Sequence, residues 1–363
     1  MTTRNSIITL IDKLRMEIRN EELSFGDMLP TERELAKKMK VSRPTIAKVY
    51  NTLQSEGLIR KKAGAGTMVI FNKNIKQYLF GLLLPGSGES EIFGIIDDRF
   101  LEMENERNFT FLWDGAVAND ASMRQSFILR NCQSYIEKKV DGILFSPLER
   151  TQNMNRINEK ISKLFDAHKI PMILIDRDIY SFPNRSKHDL VSLDNFHAGY
   201  VMTNCLIKEG CERIHFFYRK NSAYSVNMRY AGCRSACFDA GISCDDIYDS
   251  CGEPSDSDLV SKLSVNHKKT GILCGNDSTA AVLMSTFSKV SIKVSKDVLI
   301  AGFDDMKYAR HLQVPLTTYR QPLLEIARIS IEMMLSRLSN PNMPTRSISL
   351  IGKVIERDST KFV

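Results

Sequence analysis

The chain has 363 residues, of which 43% are hydrophobic and 26% charged, and its formal net charge is +7. That is a globular composition with material for two or three domains, and it excludes a disordered or collagen-like chain. No window approaches ~20 continuous apolar residues and charges interrupt every apolar run of the opening MTTRNSIITLIDKLRMEIRN, so neither a membrane span nor a secretory leader is expected, and the location is expected to be cytoplasmic.

The first predicted element is an amphipathic helix over residues 7–20, with Ile7, Leu10, Ile11, Leu14 and Ile18 on one side. It should pack under the stretch that follows, residues 29–66, LPTERELAKKMKVSRPTIAKVYNTLQSEGLIRKKAGAG. Thr31 with Glu34 three positions on is a capping box, and Leu35, Ala36 and Met39 give the helix behind it an apolar stripe. Val41 closes a turn, and Ser42 caps a second helix whose first turn tolerates Pro44. Ile46, Val49, Tyr50 and Leu53 fall at i, i+3, i+4 and i+7 and turn inward, leaving Arg43, Thr45 and Lys48 outward. Gly57 stops the helix. Residues 58–62 and 67–70 then read as a basic hairpin with Gly64-Ala65-Gly66 at its tip, where glycine lets backbone approach a groove. Between positions 33 and 62 there are nine Lys/Arg against two acids, Glu34 and Glu56, which equals the net charge of the whole chain. A cationic helix pair followed by a basic hairpin supplies the counter-charge that a DNA duplex requires.

This stretch resembles the winged helix-turn-helix of the GntR family, over about residues 6–71. The resemblance implies that Arg33 and Arg43 read guanines, for which bidentate bonds to O6 and N7 are the physical basis. It implies that Thr45 makes a backbone and base-edge contact, beside the cap Ser42, and that Gly66 is the wing-tip glycine in the minor groove. Ala47 and Ala65 depart from the family pattern, where basic residues are common, and shift the phosphate load to Lys48 and Lys61.

A polar connector follows, so the expected layout is a DNA-binding domain at 1–71, a linker at 72–76 and a second domain at 77–363. The connector is neither long nor rich in Gly and Ser, which predicts mechanical coupling rather than a loose tether. Beyond it, buried-strand runs alternate with helical patterns. YLFGLLLP, FTFLW, GILFS and IPMILID form one series; VSL, RIHFFY, GILCG and VLIAGF form a second. Alternating βα units predict parallel sheets covered by helices, and two series predict two lobes, giving an α/β class overall. Ligands of such sheets sit beyond the carboxyl ends of the strands and between lobes. That rule selects Ser146, Asp176 with Arg177, Asp194-Asn195, Asn276-Asp277 and Asp304-Asp305. Asp194, Asn195 and Asp277 read better as helix N-caps, whereas Asp176, Asn276 and Asp304 read as ligand contacts.

YAGCRSACFDAGI, GILCGNDSTAA, VLIAGFDD and PLTTYRQP resemble the effector domain of LacI/GalR repressors, related in fold to periplasmic sugar-binding proteins, over about residues 77–355. The resemblance implies that Arg229 binds sugar hydroxyls, with Asn276 and Asp304 beside it and Asp176 and Ser146 on the cleft wall. Glu91 and Phe93 are candidates for a hydrogen bond and a stacked ring, with an ordinary helix start as the alternative. Vicinal hydroxyls call for Asp, Asn and Arg partners, and buried polar groups left unpaired by the wrong sugar give selectivity.

A GntR head on a LacI-type body is similar to the AraR-like subgroup. It implies a repressor that binds double-stranded operator DNA as a homodimer and is controlled by a monosaccharide, with a phosphorylated sugar or purine base as the alternative ligand. Enzyme motifs are missing: GSGES at 86–90 lacks the GK[ST] of a P-loop, no G-x-S-x-G elbow occurs, and the six histidines form no HExxH. An enzyme fused to a GntR head is the remote alternative. The eight cysteines show no paired spacing and read as reduced, mostly buried thiols, so no metal or cofactor is expected.

Overall fold

The computed structural model describes residues 3–20, 22–62, 66–71, 76–85, 91–104, 108–113, 121–150, 153–264 and 269–362. The chain divides into two compact units, Met1–Tyr78 with Asn105–Asn108, and Leu79–Glu104 with Phe109–Val363.

The first unit contains α1 (Thr3–Arg19), a two-residue strand β1 (Met28–Leu29), α2 (Glu32–Met39), α3 (Arg43–Ser55), β2 (Ile59–Lys62) and β3 (Gly66–Val69). Leu10, Leu14 and Ile18 of α1 meet Leu35, Ala36, Ile46, Val49, Tyr50 and Leu53 in one buried cluster, so the helical spacings do turn inward as the periodicity requires. The wing is a three-stranded sheet in the order β1-β3-β2, and β1 was too short to leave a pattern in the sequence. Met39 does not join the core. It is 37% exposed, because α2 ends there: Lys40 turns left-handed and the half-buried Val41 fills the next inward place.

The second unit runs through β4 (Tyr78–Leu83), α4 (Glu91–Glu104), β5 (Phe109–Leu112), α5 (Ala121–Glu137), β6 (Gly142–Phe145), α6 (Met154–Ala167), β7 (Met172–Ile175) and β8 (Asp189–Leu193). It continues with α7 (Asn195–Lys208), β9 (Arg213–Tyr218), α8 (Tyr224–Asp239), β10 (Ile247–Cys251), α9 (Ser257–Ser261), β11 (Thr270–Cys274), α10 (Asp277–Lys289) and β12 (Val298–Phe303). β13 (Thr317–Arg320), α11 (Leu323–Ser339), β14 (Ser347–Leu350) and β15 (Lys353–Ile355) complete it. Two six-stranded sheets result, ordered β14-β8-β7-β6-β4-β5 and β10-β9-β11-β12-β13-β15. The central pairs are parallel, and apolar strands such as β7, β11 and β12 are buried along their whole length, as sheets covered on both faces should be.

One expectation is corrected: the sequence puts VSL at the head of the second series, but β8 pairs with β7 in the first sheet, Ile173 opposite Asp189, and the chain changes lobe only after it. The end of the chain then returns. α11 packs on α4 and on β6 to β8, β14 pairs parallel with β8, and β15 pairs antiparallel with β13. The lobes are therefore joined by crossings near 194, 322 and 352, a hinge that strand periodicity does not reveal. Among the described residues no helix is long and apolar enough to cross a membrane. Five of the eight cysteines are buried, and all eight are free thiols.

Candidate functional site

In the first unit, the Thr31 hydroxyl accepts from the Glu34 amide at 3.3 Å and the Glu34 carboxylate accepts from the Thr31 amide at 2.9 Å. That backbone bond, helped by the hydroxyl, holds the Glu34 carboxyl below its ordinary value. The Ser42 hydroxyl accepts from the Thr45 amide at 3.3 Å and fixes the start of α3. Arg43, the first residue of that helix, leaves 74% of its side chain exposed and touches Glu32 only at 3.4 Å. Arg33 and Lys48 are exposed as well. Gly66 is exposed with φ +93°, a conformation that strains any residue with a Cβ, so this end of the wing favours glycine. Gly64 and Ala65 lie outside the described residues.

Two side chains differ from expectation. Thr45 is not outward: it is 9% exposed, and its hydroxyl lies 2.8 Å from the Ser42 hydroxyl, because one turn in from the cap it faces the turn rather than the solvent. Lys61 donates to Glu32 at 3.0 Å and to Asn51 at 2.8 Å, and stands 5.7 Å over the Tyr50 ring. It fastens the wing to both helices, and the Lys61 bond is the main reason why the Glu32 carboxyl sits below its ordinary value.

In the second unit, the carboxyl ends of strands from both lobes surround a tight cleft. Arg229 is at its centre, 4% exposed, donating to Asn195 Oδ1 at 2.8 Å and to the Gly275 carbonyl at 2.7 Å, with its guanidinium 4.5 Å over the Phe303 ring. This placement depends on close approach of α7 and α8. A Cβ on Gly199 would be 2.0 Å from the Arg229 carbonyl oxygen, and one on Gly232 would be 2.0 Å from the Phe196 carbonyl oxygen. Asp304 accepts from Gln321 at 2.6 Å; burial pushes its carboxyl up to about 6, against the pull of Arg229. Burial also raises Asp176, opposed by Arg177 and Arg229. Asp176 has φ 73° and Asp304 φ 112°, in a region that side chains other than glycine rarely occupy. Such strain persists only where surroundings enforce it, and it gathers at binding sites.

Other candidates are placed less simply. Asn276 lines the cleft while its Oδ1 caps α10, accepting from the Thr279 amide at 2.9 Å, which leaves its NH2 group to meet a ligand. Ser146 is 1% exposed and accepts from Arg177 at 3.2 Å, away from the cleft lining. Phe93 is fully buried under the Arg177 guanidinium, 5.8 Å from its ring centre. The Glu91 side chain lies outside the described residues. Asp194 caps α7 through the His197 amide at 2.9 Å, but Asn195 and Asp277 are not caps. Asn195 holds Arg229, and Asp277 accepts from Thr318 at 2.6 Å and the Met306 amide at 3.0 Å beneath the second sheet.

The family described as "Bacterial regulatory proteins, gntR family" matches residues 8–69, and "Periplasmic binding protein-like domain" matches residues 203–360. The chain joins a GntR-type head to a periplasmic-binding-protein-like body. It is similar to the "HTH-type transcriptional repressor PurR" of Histophilus somni (strain 2336), 28% identical over 229 residues, covering 62% of this chain and 66% of that relative. The "Ribose operon repressor" of Escherichia coli (strain K12) is 25% identical over 235 residues, covering 63% of this chain and 68% of that relative. Against its PurR relatives the chain thus spans just under two thirds of their length. Among solved structures, a LacI family transcriptional regulator from Enterococcus faecium with bound ribose aligns with TM-score 0.62 at 19% identity, over 78% of this chain and 99% of that one. A CelR–cellobiose complex aligns with TM-score 0.65 at 18% identity, over 91% and 100%. These likenesses establish the fold. Arg229, Asn276 and Asp304 fall inside the matched part of the body, whereas Phe93, Ser146 and Asp176 precede it.

Sequence reasoning selected Arg177 beside Asp176 without giving it a role, and passed over Glu149, Arg150, Arg219 and Gln321. Arg177, 5% exposed, pairs with Glu149 at 3.1 Å and Asp176 at 3.6 Å. Burial works against the Glu149 charge, but Arg177 and Arg150 hold its carboxyl below the ordinary value. Glu149 also accepts from the Ala223 amide at 3.1 Å, tying the first lobe to the second. Arg177 had a visible signal, since it follows Asp176 at a strand end. Glu149, Arg150, Arg219 and Gln321 sit in connecting loops, where no periodicity marks them.

Proposed function

We propose that the protein is a cytoplasmic DNA-binding transcription regulator, a repressor of a sugar-utilisation operon, whose operator affinity is set by a monosaccharide held between the lobes of the body. The observation that carries the reading is the pairing of a solvent-facing, rigidly capped recognition helix with a cleft in which Arg229, Asp176 and Asp304 converge. Arg43, Arg33, Lys48 and Gly66 face the duplex; Ser42 positions the helix, and Thr45 contributes through the same cap. Arg229, Asp304, Asp176 and the Asn276 amide meet the sugar's hydroxyls. Two copies of the chain present two heads to a palindromic operator, as closed two-fold symmetry favours.

The cavity volume of the cleft is about 40 Å³, well short of the roughly 150 Å³ of a cavity that holds a benzene-sized ligand. A sugar therefore enters by parting the lobes at the three crossings and is enclosed when they close. Closure around a ligand changes the body's preferred conformation, and a coupling of about 1–3 kcal/mol to the head gives useful switching. The test is fluorescence anisotropy on duplexes from the protein's own promoter region, with and without a panel of sugars, pentoses and deoxyhexoses included. The expected result is specific, steeply salt-dependent binding that one sugar weakens roughly 5–150-fold. Equal binding to scrambled duplex, or indifference to every sugar, overturns the reading.

A further inference from the structure

The cleft carries more positive charge than its acids neutralise. Three carboxylates line it against four arginines: Glu149 and Asp176 pair with Arg177, Arg150 acts on Glu149 at longer range, and Asp304 faces Arg229. Arg150 and Arg219 line it from the loop after β6 and the end of β9. Neither makes an ion pair with a carboxylate within 4 Å among the described residues, and the Nε of each is buried without a hydrogen-bond acceptor. Buried donors in native proteins are almost always paired, so these two, which with the Arg177 Nε strand three guanidinium donors from both lobes at one cleft, need a reason. Their meeting is enforced by the main chain: the Arg150 amide donates to the Asn221 carbonyl at 2.7 Å, next to the Glu149–Ala223 bond. Closing the lobes thus brings two like charges together in a partly desolvated place. Burial, and after it the Arg150 charge, holds the Arg219 guanidinium below its ordinary value.

We infer that Arg150 and Arg219 form an anion subsite at the end of the cleft, so that the effector is a sugar-sized molecule bearing a phosphate or carboxylate as well as hydroxyls. An anion between the guanidiniums accepts the two stranded N–H groups, removes the repulsion and so rewards closure; a neutral sugar leaves both in place. The hydroxyl end meets Arg229 and Asp304, and the charged end links the lobes. The inference rests on the ligand-controlled reading above and names its ligand class.

The experiment compares three pairs on the full chain by thermal shift and calorimetry: glucose 6-phosphate with glucose, ribose 5-phosphate with ribose, and galacturonate with galactose. It is repeated on Arg219→Gln and Arg150→Gln, with chloride matching the ionic strength. In the ligand-free protein, Arg219→Gln is expected to melt higher than wild type, because a repulsion is removed. At least one anionic member is expected to bind at least roughly tenfold more tightly than its neutral parent, with the advantage lost in both variants. The phosphate and carboxylate arms identify which anion is preferred. A ligand-free Arg219→Gln that melts no higher, or anionic members no better than their parents, overturns the subsite. A neutral sugar that binds all three proteins alike and still releases operator overturns it while leaving the regulator reading intact; a panel that neither binds nor moves operator affinity removes both.

Discussion

In the head, Arg33, Arg43 and Lys48 stand on the solvent side of helices whose ends are fixed by residues three positions away. In the body, Arg229 is fixed by Asn195 and Gly275, 34 and 46 positions away, and is hidden from solvent. The head offers free charge on a locally built frame, which suits a polyanion that approaches from outside and supplies its own negative charge. The body offers charge that is already spent on neighbours, which suits a small ligand that must replace each of those bonds as it enters. A functional arginine in the first setting is removable without structural loss; one in the second is not.

Arg229→Ala tests that contrast with the largest expected effect. It strips donors from the Asn195 side chain and the Gly275 carbonyl and removes the charge facing Asp304, so the body should lose roughly 3–5 kcal/mol in urea unfolding, along with effector binding. Arg43→Ala comes next. Specific operator affinity should fall by about 1–3 kcal/mol per half-site in anisotropy titrations. Its melting temperature and its response to effector should stay at wild-type values, because Arg43 is tethered only at 3.4 Å to Glu32. If Arg229→Ala left stability unchanged, or Arg43→Ala lowered it, the two settings would not differ as described.

The same contrast explains what could be read from the sequence. Thr31-x-x-Glu34, Ser42 and the 46/49/50/53 spacing carry their geometry within a few residues, so the head was legible almost to its side chains, Met39, Thr45 and Lys61 excepted. In the body, apolar runs marked the strands and strand-end polar residues marked Asp176 and Asp304, whereas Arg229, inside α8, was legible only through the family resemblance. The return of α11 and β14 to the first lobe was not marked, since pairing across 150 residues leaves no local trace (Ser347 opposite Leu190). Nor was the Glu149–Arg177 pair, whose members are joined only by the fold. Asn276 is itself a favoured N-cap residue at the start of a helical run, so its cap was legible in the sequence.

pH sharpens the comparison on the body's side. Asp304 rises from an ordinary 3.8 to about 6 through burial, so between roughly pH 4 and 6 the folded body holds a proton that the unfolded chain has released. Its contribution therefore favours folding at low pH and is lost as pH rises through 6. Ligand affinity should run the opposite way, because the ionised carboxylate accepts from hydroxyls with both oxygens and more strongly than the protonated group: a fall of up to about tenfold from pH 7 to pH 5 is expected by calorimetry. Asp304 lies in the body and not on the duplex-facing helices, so operator binding without effector should show no inflection at pH 6.

The smallest expected effects come from removing the same kind of bond on each side. Thr31→Ala takes the hydroxyl from the Glu34 amide in the head, and Asp194→Ala takes the carboxylate from the His197 amide in the body. Each should cost about 1 kcal/mol. The cores are separate clusters, so scanning calorimetry should place the losses in different transitions: the first lowers the head's melting and leaves the body's, the second the reverse. The functional consequences should differ too. Thr31→Ala loosens α2 and with it Arg33, so operator binding weakens while effector binding is untouched. Asp194 stands beside Asn195 at the first crossing between lobes, so its loss reaches Arg229 and should weaken effector binding instead. A single transition shifted equally by both variants would mean that head and body unfold as one, and that the division drawn between a locally built site and a distributed one has no thermodynamic counterpart.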